Sequence, residues 1–141
     1  GIFVEDYKLI FTADIDLSAF GPWYGNPSSN LDQFKTSIQR LRNLKPDLLV
    51  TSHGPPVSEH IQEKLFNYEM IIEQRDEAIL AALQERPMGI NELVAKQIIY
   101  RDHYNLELLQ YFEKVMLQKH LNRLLEAGAV HEAGHDLFIL S

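Results

Sequence analysis

Two short apolar runs in this sequence lead directly into residues that bind divalent metals. Residues 9–13 (Leu-Ile-Phe-Thr-Ala) precede Asp14, and residues 48–52 (Leu-Leu-Val-Thr-Ser) precede His53, which is followed by Gly-Pro-Pro. Runs of this kind, bounded by turn formers, predict buried strands, and an α/β protein presents ligand-binding side chains where such strands end. A carboxylate and an imidazole suit zinc, iron or manganese. Asp14 and His53 are therefore candidate metal ligands, although two ligands alone do not make a metal site.

Each of these candidates also has a structural interpretation. An Asp often caps a loop after a strand, and His53 could be a satisfied histidine at a strand end. The occurrence of Asp14 and His53 at equivalent positions favours metal binding over either alternative. His131 and His135 flank a predicted hairpin turn containing Ala and Gly, where we interpret them as surface residues.

Four further residues are candidates for lining a substrate pocket: Asp16, Trp23, Tyr24 and Ser52. Asp16 is either a pocket carboxylate or a loop cap. Trp23 and Tyr24 lie in a loop dense in turn-forming residues, where aromatic rings either form a substrate wall or hold the loop on the core. Ser52, like Thr51, is placed to hydrogen-bond near His53.

The composition limits the class of protein. With 141 residues, of which 45% are hydrophobic, the chain has room for one ordinary domain or two small ones. It contains neither the roughly 20 consecutive apolar residues of a membrane span nor the pattern of a secretion signal, so we expect a soluble, cytoplasmic protein without membrane association. Because there are no cysteines, a metal must be held by His, Asp and Glu. The net charge of −7 argues against general attraction to nucleic acid.

The first part of the chain predicts an α/β layered sheet. Residues 1–13 form two short strands joined by a tight turn, and helical spacing of apolar residues follows over 31–44. A strand over 48–53 comes next, and Pro55 and Pro56 are expected to open a second helix. Because strands and helices alternate through short loops, the strands ending at Asp14 and His53 should be neighbours in one sheet.

The pattern changes near Pro87 and Gly89, so we predict two domains, 1–85 and 86–141. The second should contain helices over 90–95, 106–111 and 113–127, followed by a hairpin over 129–140. Helices followed by a small hairpin are typical of a winged helix-turn-helix domain.

The residues around Asp14 resemble the strand and metal-bridging aspartate of metallo-β-lactamase-fold hydrolases, and residues 51–55 (Thr-Ser-His-Gly-Pro) resemble their last metal-binding histidine motif. The long helix and winged-helix-like end resemble the C-terminal extension of β-lactamase-like endoribonucleases and of thioester or lactone hydrolases. The family's H-x-H-x-D-H motif has no counterpart, since no two of the six histidines have its spacing. The resemblance therefore implies the C-terminal half of such an enzyme, with a partial αββα sandwich.

This resemblance implies metal-assisted hydrolysis of an ester, thioester, lactone or phosphodiester, RNA included. Asp14 would bridge two metals and His53 would bind the second, most simply two zinc ions, with iron or manganese as alternatives. With only two ligands, this chain alone should hold no metal and be nearly inactive. Its partners would be the substrate and the N-terminal half of the same protein, and its free sheet edge favours a homodimer or a domain swap.

The competing interpretation is a nucleic-acid-binding or assembly module without catalysis. A winged helix can place its third helix in the DNA major groove, and Lys114, Lys119 and Arg123 lie on that predicted helix. The slightly acidic balance of residues 86–141 argues against this interpretation.

Overall fold

The computed structural model describes residues 1–101 and 106–141. The chain divides into two compact units, the first formed by Gly1–Trp23 and Asp32–Ile72, the second by Tyr24–Leu31 and Glu73–Ser141. No helix in the described ranges is both long and apolar enough to cross a membrane. The assignment of 1–85 and 86–141 as separate domains stays a prediction.

The first unit contains a three-stranded sheet in the order β1-β2-β3. Strand β1 (Ile2–Val4) pairs antiparallel with β2 (Leu9–Thr12) after a single turn of 3-10 helix, and β2 pairs parallel with β3 (Leu48–Thr51). Helix α1 (Leu31–Leu44) provides the crossover between β2 and β3. The expected mixed α/β chain and the adjacency of the two metal-motif strands are confirmed.

Helix α1 has the bounds that its apolar spacing predicts. Leu31, Ile38 and Leu41 are buried on one side of the helix, because residues seven and ten positions apart fall on the same helical face. The helix ends at Leu44, where Lys45 adopts a left-handed φ of 47° and Pro46 follows. Proline disfavours helical backbone in the residue before it, so the stop is sharp.

The two faces of the sheet differ in burial. Since successive strand residues point to opposite faces, Ile10 and Leu49 share one face, and both are fully buried. The opposite face is also apolar but open: Ile2 is 68% exposed and Phe11 is 46% exposed. Leu9, Leu48 and Val50 lie half-buried on this open face. The strands are therefore hydrophobic on both faces, while only one face is covered within the first unit.

The segment between β3 and the next helix differs from the prediction. Helix α2 runs over Ile61–Glu85, so it does not begin at Pro55 and Pro56. Val57 instead forms an antiparallel bridge with Leu49, with N···O distances of 2.8 and 2.9 Å. The edge of β3 offers unpaired backbone groups, and their pairing with Val57 keeps the chain extended before the helix starts.

A close approach in the first unit favours glycine at position 21. Gly21 has a φ of +91°, and a Cβ atom there would lie 2.7 Å from Cγ2 of Ile71. Gly134, in the second unit, also has a positive φ, +68°, but a Cβ atom there would meet nothing within 4 Å. Both glycines have a left-handed φ, but only Gly21 has a side chain packed against it.

The second unit contains a three-stranded sheet in the order β4-β6-β5. Its elements after α2 are β4 (Met88–Gly89), α3 (Ile90–Ala95), α4 (Glu107–Glu126), β5 (Val130–Glu132) and β6 (Leu137–Leu140). The hairpin and α3 agree with the prediction. The separate helices expected over 106–111 and 113–127 are wrong, because one continuous helix, α4, covers both. Strand β4 is too short to give a periodic signal and was not expected.

The core of the second unit is mainly apolar, and Glu113 is a buried carboxylate within it. Met88, Leu117 and Leu121 are fully buried. Glu113 on α4 is also fully buried, and its two carboxylate oxygens accept hydrogen bonds from the backbone amides of Ile99 (3.0 Å) and Tyr100 (2.7 Å). Glu113 thereby satisfies backbone donors that follow α3.

Candidate functional site

The parallel pairing of β2 and β3 brings Asp14 and His53 to one edge of the sheet. Thr12 and Thr51 are register partners at the carboxyl ends of the two strands, and Asp14 and His53 each follow two residues later. The strands end earlier than predicted, so both candidates lie in loops, where their side chains are exposed. The carboxyl edge of parallel strands is where α/β proteins place ligand sites. The two candidates lie just beyond this edge, and their role as metal ligands stays a prediction.

Two pockets open beside this edge. One, of about 380 Å³, lies between the sheet and α1 and has Asp14 among its lining residues. The other, of about 520 Å³, is lined by Thr51 and Ser52 together with apolar strand residues. Asp16, Trp23 and Tyr24 line neither of these two pockets.

The loops carrying the two candidates are held differently. The Thr12 hydroxyl donates to the carbonyl of Ile15 at 2.6 Å and so closes the loop that contains Asp14. The Ser52 hydroxyl donates to the carbonyl of Thr12 at 3.4 Å, across the two strand ends. The Thr51 hydroxyl is buried and has no hydrogen-bond partner among the residues that the structure describes.

Asp16 has structural partners in the first unit. One of its carboxylate oxygens accepts hydrogen bonds from the Ser18 amide at 3.0 Å and from the Tyr68 hydroxyl at 3.2 Å. This geometry is that of an Asx turn, in which Asp caps its own loop, and it agrees with the loop-cap alternative. Trp23 is 40% exposed, and its part in a substrate pocket stays a prediction.

Tyr24 lies in the interior of the second unit and not at an open pocket mouth. It is fully buried, and its hydroxyl accepts a hydrogen bond from Arg75 at 2.9 Å and is bonded to Nε2 of His120. Nδ1 of His120 lies 2.6 Å from Oδ1 of Asp76. The other carboxylate oxygen of Asp76 pairs with Arg123 at 3.3 Å. We call these five residues the Tyr24 network.

The hydrogen positions in the Tyr24 network follow from what each group can donate. Arg75 only donates, so the single proton of the Tyr24 hydroxyl points to Nε2 of His120, and Nδ1 of His120 carries the proton given to Asp76. Burial raises the pKa of Tyr24 to about 12 against the lowering effect of Arg75. Burial also lowers the pKa of His120, although Asp76 opposes this. His120 is thus a neutral, fully bonded core residue.

Sequence reasoning missed the polar members of this network. Arg75 and Asp76 interrupt the apolar stripe of α2 between Ile72 and Ile79, and His120 lies on the inner face of α4. Polar residues at core positions of two helices were the available signal. It indicates a buried network, but it does not identify Tyr24 as the partner.

The donors at the sheet edge fit part of a divalent-metal site. Asp14 and His53 have the right chemistry and lie on adjacent loops, but the described residues contain no group of three or more His, Asp or Glu that could hold a metal. Retention of zinc requires three or four protein ligands. The described residues therefore do not by themselves form a metal site.

The fold matches part of solved structures of one class. A metallo-β-lactamase family protein from Thermus thermophilus superimposes with a TM-score of 0.76 at 22% identity, over 99% of this chain and 44% of that protein. A β-lactamase domain protein from Burkholderia ambifaria superimposes with a TM-score of 0.76 at 24% identity, over 99% of this chain and 43% of that protein. No family model and no curated protein matches the chain.

The similarity to these two proteins is therefore a similarity of fold. The chain is a mixed α/β chain that resembles part of a metallo-β-lactamase fold, and it spans less than half the length of the two structures.

Proposed function

We propose that this chain is the C-terminal part of a metal-dependent hydrolase with the metallo-β-lactamase fold, in which Asp14 and His53 bind the metal. The observation that carries the proposal is the position of the two residues, each two places beyond the paired Thr12 and Thr51. A carboxylate and an imidazole at the carboxyl ends of adjacent parallel strands can reach a common ion.

The open apolar face of the first sheet supports this proposal. Strands that are hydrophobic on both faces are normally covered on both, and here Ile2 and Phe11 are largely exposed. A second sheet on this face would complete an αββα sandwich. We propose that it belongs to a segment outside the 141 residues, which also supplies the remaining metal ligands.

The second unit supports the finer assignment of a winged-helix domain. The support is its order of strand, two helices and hairpin, with the first strand pairing to the last in the order β4-β6-β5, which agrees with the order expected of a winged helix. We propose that it packs within the protein and does not bind nucleic acid. Lys119 already donates to the carbonyl of Asn26 at 2.6 Å and to the hydroxyl of Ser29 at 2.7 Å, and Arg123 pairs with Asp76.

The reaction we propose is hydrolysis of an ester, thioester, lactone or phosphodiester. When bound, two divalent cations, zinc or else iron or manganese, polarise the substrate and activate water at neutral pH. The part of this chain would be to help hold those cations, through the Asp14 carboxylate and the His53 imidazole. Ser52 links the two strand ends, which keeps the ligand loops adjacent.

The test is metal analysis of this chain and of the longest product of its reading frame, purified in parallel without chelators. We expect about two equivalents of metal in the longer product, in keeping with a two-metal site, and almost none in the 141-residue chain. Asp14→Ala and His53→Ala should each lower the metal content. His135→Ala is the matched control, because His135 is exposed on the hairpin of the other unit.

A longer product without metal, or one in which Asp14→Ala and His53→Ala both keep full occupancy, would reject the proposal. Folding of each variant is checked by circular dichroism, so that a lost ligand is separated from a lost fold.

A further inference from the structure

The pocket of about 380 Å³ beside Asp14 has the size of a small-molecule site, for which roughly 300–1,000 Å³ is usual. It lies on the covered face of the first sheet, because the register partners Phe3 and Ile10 both line it. The second sheet that we propose for the open face, that of Ile2 and Phe11, therefore does not fill this pocket. Its apolar walls are formed by Phe3, Ile10, Ile15, Phe34, Leu41 and Leu44.

Asp14 and Arg40 both line the pocket, at different positions along it. Since β2 and β3 are parallel, the crossover helix α1 runs antiparallel to both, and its first turn lies toward the strand ends that precede Asp14. Arg40 comes six residues after Phe34, which places it about 9 Å farther from those strand ends along the helix axis. The pocket thus has a carboxylate at one end, a guanidinium toward the other and apolar walls between them.

Arg40 differs from its neighbour Arg42 in its ion pairing. Arg42 pairs with Glu69 at 3.0 Å, whereas Arg40 is exposed and has no ion pair within residues 1–101 and 106–141. A guanidinium binds a carboxylate through paired N–H donors, while Asp14 repels an anion at the opposite end of the pocket. An elongated ligand therefore fits in one orientation, with its anionic end on Arg40 and its uncharged end beside Asp14.

We propose that this pocket binds the acyl part of the substrate, and that this acyl chain is apolar and ends in a carboxylate held by Arg40. Arg40 then determines specificity, and the scissile carbonyl lies at the Asp14 end. The chemical class of the ligand follows from the pocket alone, whereas its role as a substrate rests on the proposed function. A span of about 9 Å corresponds to a chain of roughly six to eight carbon atoms.

The experiment measures the binding of two esters to the longest product of the reading frame, kept free of metal by a chelator so that binding is separated from hydrolysis. Monomethyl octanedioate and methyl octanoate differ in whether the chain ends in a carboxylate or a methyl group. We expect the wild type to bind monomethyl octanedioate about tenfold more tightly, which is near the lower limit for a hydrogen bond to a charged group.

Variants on α1 assign this preference to one side chain. Arg40→Gln should abolish it, and Arg40→Lys should keep most of it because the positive charge remains. Lys35→Gln is the matched control: it removes a positive charge from the same helix, but Lys35 does not line the pocket, so the preference should be unchanged. Circular dichroism checks the fold of each variant.

Shortening the chain tests the apolar walls. Each buried CH₂ group contributes a factor of about four to affinity, so monomethyl butanedioate, with four CH₂ groups fewer, should bind about 100-fold more weakly than monomethyl octanedioate.

Equal affinity of the wild type for the two eight-carbon esters, a preference that survives Arg40→Gln, or an affinity independent of chain length would each overturn this inference, as would the absence of binding. The proposed function still stands in those cases if Asp14→Ala and His53→Ala lose metal. A wild type that shows the expected preference but holds no metal rejects the proposed function, and with it the ligand's role as a substrate, while the ligand class of the pocket stands.

Discussion

Replacing Tyr24 with phenylalanine removes one oxygen from the centre of the Tyr24 network. The Tyr24 hydroxyl accepts a hydrogen bond from Arg75 and donates one to His120, and both partners are buried. A buried polar group left without its partner costs about 1–3 kcal/mol. The loss of both hydrogen bonds therefore predicts a decrease of about 2–6 kcal/mol in the free energy of unfolding, a large part of the roughly 5–15 kcal/mol that stabilises an ordinary protein.

The measurement has to report on the second unit alone, because a chain of two units need not unfold in one step. Hydrogen exchange of the α4 backbone amides gives the free energy of opening this helix, and urea unfolding followed by circular dichroism gives the total. Tyr111→Phe is the control, because Tyr111 is on the same helix and 50% exposed. It should change stability by no more than about 0.5 kcal/mol.

A loss below about 0.5 kcal/mol for Tyr24→Phe would refute this reasoning, since even one unsatisfied buried group costs more. It would mean that the Tyr24 hydroxyl is replaced by water or by another group at no cost, and that the second unit is held by apolar packing alone.

Three other predictions follow from buried or constrained groups. Burial lowers the pKa of His120 below its ordinary 6.5, so the unfolded state binds more protons than the folded state. The contribution of His120 to the free energy of unfolding should therefore be complete above pH 6.5 and decrease as the pH drops toward the folded-state pKa. Urea midpoints measured across this range should fall less steeply for His120→Gln than for the wild type. Gly21→Ala should lower the free energy of unfolding by about 2–4 kcal/mol, because of the positive φ and the clash with Ile71. Gly134→Ala should lower it by only about 1–2 kcal/mol, because only the positive φ opposes it. Thermal unfolding of the two variants makes the comparison. Glu113→Gln replaces one of the two accepting carboxylate oxygens with an NH₂ group, which faces a backbone N–H donor. It should lower the free energy of unfolding, measured with urea, by about 1–3 kcal/mol.

Local patterns predicted most elements of this fold because their determinants lie close together in sequence. The apolar spacing and Pro46 define α1, and short apolar runs define β2 and β3. The predicted start of α2 was wrong because the proline pair at 55 and 56 suits a helix start and an extended segment equally. The bridge between Val57 and Leu49 favours the extended segment. The short β4 forms only through its pairing with β6.

The strand pairing next to the candidate site was predictable for the same reason. Asp14 and His53 meet at one sheet edge because a strand-helix-strand connection makes their strands parallel neighbours, and their metal binding stays a prediction. The position of Tyr24 could not be predicted, because its partner His120 is 96 residues away. The burial of the Thr51 hydroxyl, which has no hydrogen-bond partner within residues 1–101 and 106–141, is likewise visible only in three dimensions.

The long separation between Tyr24 and His120 has a consequence for synthesis of the protein. A ribosome adds roughly 5–20 residues per second, so the 96 residues between the two take roughly 5–20 s to make. The partners that β2 needs in the first sheet are complete by Thr51, long before His120 exists. Through that interval the Tyr24 hydroxyl lacks its His120 partner, and the Tyr24 network can form only after the residues up to Arg123 have been made.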